Sequence, residues 1–179
     1  MLLLVALWAF AEATLFFIVA DVPIMATGIR HGLRRAMLAA CIAALAAALG
    51  GLVTLEWAAH FPMASRAAIE GLPGIGGALI DHAVADWHHG GAIAMFAGSF
   101  GGVPYKLYAY AAGLEGAGVA GFFLASIAAR LPRFALIALV SGLVGPHLRR
   151  HLPPRLLWPL FAGCWAAFYA TYFLAMAQH

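Results

Sequence analysis

The chain has 179 residues, 65% of them hydrophobic and 9% charged, with a mean hydropathy of +0.94. Soluble domains run at roughly 45–50% apolar and about 25% charged, so this composition cannot cover a water-facing surface. It excludes a soluble enzyme, a nucleic-acid binder, a disordered linker and a disulfide-stapled secreted fold, and a formal charge of +3 adds no basic stripe fit for nucleic acid. The expectation is an all-α integral membrane protein in one domain, with room at roughly 20 residues per crossing for four or five elements.

Residues 1–29 are apolar except for Glu12 and Asp21. The first residues lack a positive n-region and no A-x-A site follows, so a removable signal peptide is not expected. Asp21 and Pro23 interrupt the block, which predicts a re-entrant hairpin with Pro23 at its bend. The basic loop 30–35 follows. Residues 36–58 predict a span, rich in alanine, with Gly50 and Gly51 suited to close helix packing. Across 60–90 polar residues recur around Gly and Pro, predicting interfacial helices. Residues 92–113 are apolar again but broken by Gly101, Gly102 and Pro104 and bounded by Gly113. These four are expected to bend a second re-entrant hairpin. A span over 116–145, a second basic loop over 147–155 and a C-terminal span over 156–177 complete the chain.

Both basic loops facing the cytoplasm satisfies the positive-inside rule. The spans 36–58 and 116–145 then lead out and back, so 92–113 has to enter and leave on the outer side. Two broken apolar segments dipping from opposite faces are the pattern of an inverted repeat with a midplane site. The expected architecture is hairpin plus transmembrane helix, twice, with an extra C-terminal transmembrane helix.

Five ionisable residues fall inside apolar blocks: Glu12, Asp21, Lys106, Arg130 and Arg133. A charge at the centre of a membrane helix costs roughly 2.5–3.5 kcal/mol on insertion scales. Five lipid-facing charges would together exceed the net stability of a small domain, about 5–15 kcal/mol. They are therefore expected to face one another or a wet cavity. Arg130 lies about 21 Å along its predicted helix, near the middle of the bilayer, and cannot shed its charge there. Pro132 beside it is expected to kink the helix. Three cations against two acids leave one surplus positive charge, which an anionic guest would balance; guanidinium forks suit phosphate oxygens. Arg130, Arg133 and Lys106 are the candidate phosphate-binding residues. Glu12 and Asp21, titratable near neutral pH if buried, are candidates to carry a proton or engage a headgroup cation, so that a proton gradient could drive the movement. The alternative is a static ion cluster that only cements the fold.

The segment Phe10-Ala11-Glu12 through Ala20-Asp21 resembles the first hairpin of the DedA family, also called the VTT or SNARE-associated Golgi protein family. Gly101-Gly102-Val103-Pro104-Tyr105-Lys106 through Ala112-Gly113 resembles its second hairpin, in the form of the small YqaA-like branch. Ala129-Arg130-Leu131-Pro132-Arg133-Phe134 is similar to the family's G-R-x-x-R-F. Ala20 stands where the family has proline, with Pro23 as a substitute, and Ala129 stands where it has glycine. The resemblance implies a lipid translocase, flippase or scramblase of the bacterial inner membrane rather than an enzyme. It also implies membrane lipids as partners, an anionic phospholipid or a polyprenyl phosphate such as undecaprenyl phosphate, with proton-motive-force dependence. Gly-rich faces make a homo-oligomer an open option, and no metal or other cofactor is expected.

Other signals are weaker. Asp81, His82, Asp86, His88 and His89 could ligate a metal but read better as an interfacial helix. Ala97-Gly98-Ser99-Phe100-Gly101 approaches a nucleophile elbow without its first glycine, leaving an intramembrane hydrolase as a minor alternative. The aromatic run Trp158 to Phe173 reads as lipid-facing or interface-anchoring, less readily as a groove for a lipid tail. Cys41 and Cys164 read as small core residues. Glu56 and Glu115 read as solvated span ends that could gate the outer face.

Overall fold

The computed structural model describes residues 1–176. It is all helical among them: α1 (Leu2–Glu12), α2 (Asp21–His31), α3 (Leu33–His60), α4 (Pro62–Glu70), α5 (Gly77–Gly101), α6 (Tyr105–Leu114), α7 (Val119–His151) and α8 (Pro154–Met176). Three of these, α3, α7 and α8, are long and apolar enough to cross a membrane, which points to an integral membrane protein. At 1.5 Å per residue α3 and α7 reach about 42 and 50 Å, beyond a hydrocarbon core of about 30 Å.

α3 and α7 form the central antiparallel pair. The face of α3 that makes this possible is almost entirely alanine: Ala36, Ala39, Ala40, Ala43, Ala44, Ala47 and Ala48 are all buried. Small side chains let helices approach closely where no hydrophobic drive pulls them together. At Gly142 of α7 a Cβ would meet the Leu33 Cα at 2.6 Å, and at Gly145 it would meet the Ile29 Cα at 2.6 Å. Any larger residue there would push the helices apart.

The short helices are distributed across this pair in a crossed way. α1 packs on α3 and α5 on α7, each within its own half of the chain. α2, however, packs mainly on α7, and α6 packs on α3. Each half thus lends its second short helix to the long helix of the other half.

The break between α1 and α2 covers residues 13–20, where the Thr14 hydroxyl turns back onto the Phe10 and Ala11 carbonyls at 3.5 and 2.9 Å. Pro23 is not at this bend. It sits in the first turn of α2, where a missing N–H leaves no helical bond unmade. The second break is where the sequence placed it. Gly101 ends α5, Gly102 takes a left-handed φ of +85° and Pro104 precedes α6; a residue with a Cβ would be strained at Gly102. Gly113 belongs to α6, not to a bend, and lies where a Cβ would press on the Leu55 carbonyl of α3. The expected interfacial stretch is α4 plus the first arm of α5. That arm joins the apolar arm through Gly91, whose φ of 52° and ψ of −127° break the helix.

α7 continues through both Pro132 and Pro146 to His151, so part of the expected second basic loop is helical. Its backbone stays helical at Pro132, which still deprives the Ala128 carbonyl of its usual donor. Cys41 and Cys164 are exposed. Both lie on apolar helices whose outer faces carry hydrophobic residues, so an apolar sequence context did not mean a protein interior.

The charges outside the apolar blocks divide between the two ends with one exception. The Arg149 guanidinium donates to the Arg30 carbonyl at 3.0 Å, which joins the two basic segments. Arg30, Arg34, Arg35, Arg149, Arg150 and Arg155 are all at this end. Glu56, Glu70, Asp81, Asp86 and Glu115 lie at the other, with Arg66 the one basic residue among them. Arg66 bonds Asp81 at 2.7 Å, and His88 meets Glu115 at 2.9 Å.

Candidate functional site

Glu12 ends α1, Asp21 begins α2, Lys106 is in the first turn of α6, and Arg130 and Arg133 face inward one turn apart on α7. These are the five residues that the sequence singled out, and the fold brings all of them to one cavity of about 230 Å³. Three of the contributing helix ends are created by the two breaks.

The Arg130 guanidinium bonds the Glu12 carboxylate, both side chains buried. It also stacks over the Tyr105 and Phe134 rings, 4.9 and 4.6 Å from their centroids, a cation–π arrangement that helps hold a charge away from water. Tyr105 is fixed in turn by donating to the Ser126 hydroxyl at 2.7 Å. Arg133 donates to Asp21 Oδ2 through Nε at 3.2 Å and Nη2 at 2.6 Å, and through Nη1 to the Ser99 carbonyl at 2.6 Å. Ser99 itself donates to the Met95 carbonyl at 3.1 Å, back-bonding within its own helix.

Lys106 is different. Its residue is 2% exposed and its ammonium donates to the Phe16 carbonyl at 2.6 Å. It makes no ion pair among the described residues. Both arginines are therefore matched by carboxylates, and the surplus positive charge resides on the lysine. Two buried polar atoms, Asp21 Oδ1 and Arg130 Nε, lack a hydrogen-bond partner among the described residues, so the cluster retains unused polar capacity.

The cations also serve the broken backbone. Lys106, from the second half, caps a carbonyl in the first break; Arg133 caps the Ser99 carbonyl near the tip of α5. A buried carbonyl left without a donor is costly, which these two donors avoid.

α8 closes one side, where the sequence favoured a lipid-facing or interface-anchoring helix over a groove wall. Phe168, Tyr169, Tyr172 and Phe173 line the cavity, and the Tyr169 hydroxyl accepts the Val19 amide at 2.8 Å. The legible signal was the spacing of these aromatics, which places Trp165, Tyr169 and Phe173 on one helical face; nothing in it distinguished a cavity wall from a lipid-facing stripe. At the acidic end His82–Asp86 and His88–Glu115 form separate pairs, and no group of three metal-ligating residues gathers among the described residues.

Compared with family models, with curated proteins and with solved structures, the chain matches none of them.

Proposed function

We propose that the chain is a membrane translocase that carries a phosphate-bearing lipid headgroup through the bilayer. The observation that carries this reading is the cluster itself: three cations and two carboxylates converge on one cavity, and the excess charge sits on a lysine without a carboxylate. A phosphate monoester or diester is the guest whose charge and oxygens suit that ammonium and the nearby guanidinia. The resemblance to the DedA family supports the same reading. On the family's precedent, undecaprenyl phosphate or a phospholipid is the cargo, and Glu12 or Asp21 couples its movement to protons.

In this reading both breaks are tips of re-entrant hairpins, related as an inverted repeat. α1 and α2 are 11 residues each, about 16 Å, roughly half the hydrocarbon thickness. Burial lowers the His31 imidazole pKa from 6.5, followed by the charges of Arg35, Arg30, the Met1 amine and Arg149. That supports α1 entering from the basic end and α2 returning there. The basic end then faces the cytoplasm of a bacterial inner membrane, in keeping with positive-inside statistics.

The test is transport in reconstituted liposomes, read as the accessibility of a phosphate-headgroup lipid to a reagent confined to one side. Arg130→Ala and Glu12→Gln are expected to abolish it while both variants still insert. Wild-type transport by both would defeat the assignment. The second reading, a cluster that only cements the fold, is favoured by one observation: each arginine already has its own carboxylate.

A further inference from the structure

We infer that the groove between α2, the end of α7 and α8 holds the hydrocarbon tail of the same amphiphile whose headgroup enters the charged cavity, and that α8 is its movable wall. This rests on the reading above and extends it to the apolar part of the ligand.

The groove has a volume of about 510 Å³. Met25 and Ile29 of α2, Leu148 and Leu152 at the end of α7, and Leu160 and Cys164 of α8 line it. It does not end blindly at the ion cluster. Val19, Asp21, Arg133 and Phe168 border both this groove and the charged cavity. One continuous surface therefore passes from Lys106 and the two ion pairs, past Asp21 and Arg133, into an apolar channel. From Arg133 to Leu148 it follows α7 for about 22 Å at 1.5 Å per residue. A charged pocket of small volume joined to a long apolar channel is complementary to a small anionic headgroup with a long chain. Neither a free anion nor a hydrocarbon alone would use both parts.

The headgroup pocket borders Pro73, Ile75 and Gly102, on the side of the acidic end, whereas the channel runs toward Arg149 at the basic end. The bound amphiphile would point its head toward the acidic end and its tail toward the basic one.

α8 is suited to open and close over this path because little holds it. It packs thinly on α7; the Tyr169–Val19 hydrogen bond and the Phe17–Phe173 edge contact at 5.9 Å fasten it beside the point where cavity and groove meet. Separating α8 there would open the whole path to the bilayer without disturbing the α3–α7 pair.

The experiment uses the full chain in nanodiscs of zwitterionic lipid, with a long-chain alkyl phosphate bearing a photoreactive group at the chain end. Adducts are expected on the segments around Leu148, Leu160 and Cys164. An unreactive alkyl phosphate should compete them away, and an alkyl alcohol of equal length should not. Leu160→Trp, at a position 56% exposed and thus tolerant, should weaken alkyl phosphate binding about tenfold and leave inorganic phosphate binding unchanged. Adducts spread over all lipid-facing helices and indifferent to competitor would overturn the inference. If Lys106→Gln abolishes binding while adducts lie elsewhere, the tail groove fails and the headgroup site stands. If binding is indifferent to Lys106 as well, both fail.

Discussion

The Glu12–Arg130 pair separates a working site from a structural cement. Each residue is 5% exposed, and Arg130 Nε already lacks a partner among the described residues. Glu12→Gln would leave a guanidinium that cannot deprotonate without its counter-charge, and Arg130→Met would leave the carboxylate in the same position. Breaking a buried pair from one side costs about 3–5 kcal/mol. In a chain of this size about 1 kcal/mol moves the melting temperature by roughly 2–4 °C, so each single variant should melt on the order of 10 °C lower in detergent. The double variant Glu12→Leu with Arg130→Met removes both charges and keeps an unbranched chain against the Tyr105 and Phe134 rings. Replacing a buried ion pair by apolar groups of similar volume is often neutral or stabilising, so its melting temperature should return to within a few degrees of wild type. Transport, measured on the same preparations, should remain lost. Recovered stability with wild-type transport would refute the functional role of the pair. Single variants that melt within 2 °C of wild type would refute the argument from burial.

Three further outcomes follow from particular contacts. Lys106→Gln keeps a donor for the Phe16 carbonyl and removes the surplus charge; it should melt within about 3 °C of wild type yet bind alkyl phosphate at least tenfold more weakly by native mass spectrometry, since a charge-assisted hydrogen bond contributes about 1.5–3 kcal/mol. Gly113→Val would force α6 away from the Leu55 carbonyl and the Ala58 Cβ, the latter 2.8 Å from where a Cβ would stand, costing about 1–3 kcal/mol; Gly101→Ala, with open space around it, is the neutral control in the same melting assay. At the acidic end, the hydrogen bond from Arg66 lowers the Asp81 carboxyl pKa from 3.8. The stabilising contact is thus intact above that value and lost as pH falls through the lowered one. Amide exchange in α4, corrected for intrinsic rates, should rise between pH 5 and pH 2.5, and Asp81→Asn should remove that dependence.

Much of the site was legible because charge in hydrocarbon is expensive. Five ionisable residues in apolar blocks had to meet, and that constraint located them without any geometry. The second break was legible for a comparable reason, since Gly101, Gly102 and Pro104 leave a helix little choice. The first was not. Pro23 looked like a bend, but proline is equally at home in a helix's first turn, and the break falls instead on 13–20, which carries no glycine or proline. Pairing was also beyond the sequence. Counting three cations and two acids gave the surplus charge, but only the positions of the helix ends decide that Lys106 carries it and that Arg130 and Arg133 are each matched. The role of α8 depends on tertiary position, because aromatic spacing looks the same whether a helix faces lipid or lines a cavity.

The same hydrogen bonds that close the cavity also set the condition for filling it. Lys106 Nζ is 2.6 Å from the Phe16 carbonyl, so an anion that takes up the ammonium competes with the donor to that carbonyl of the first break. Arg133 is under the same tension, divided between Asp21 of the other half and the Ser99 carbonyl of its own. One carbonyl at each break is thus tied off by a cation, while neutral donors serve others: Trp8 donates to the Ile18 carbonyl and Thr54 to the Ala13 carbonyl of the first. Under the proposed function, ligand charge and backbone solvation therefore draw on one set of donors. Binding then loosens the segment 13–20, whose Val19 amide is also what Tyr169 of α8 holds. Headgroup capture and the release of α8 are thereby linked through a stretch of eight residues, with no need for the α3–α7 pair to move.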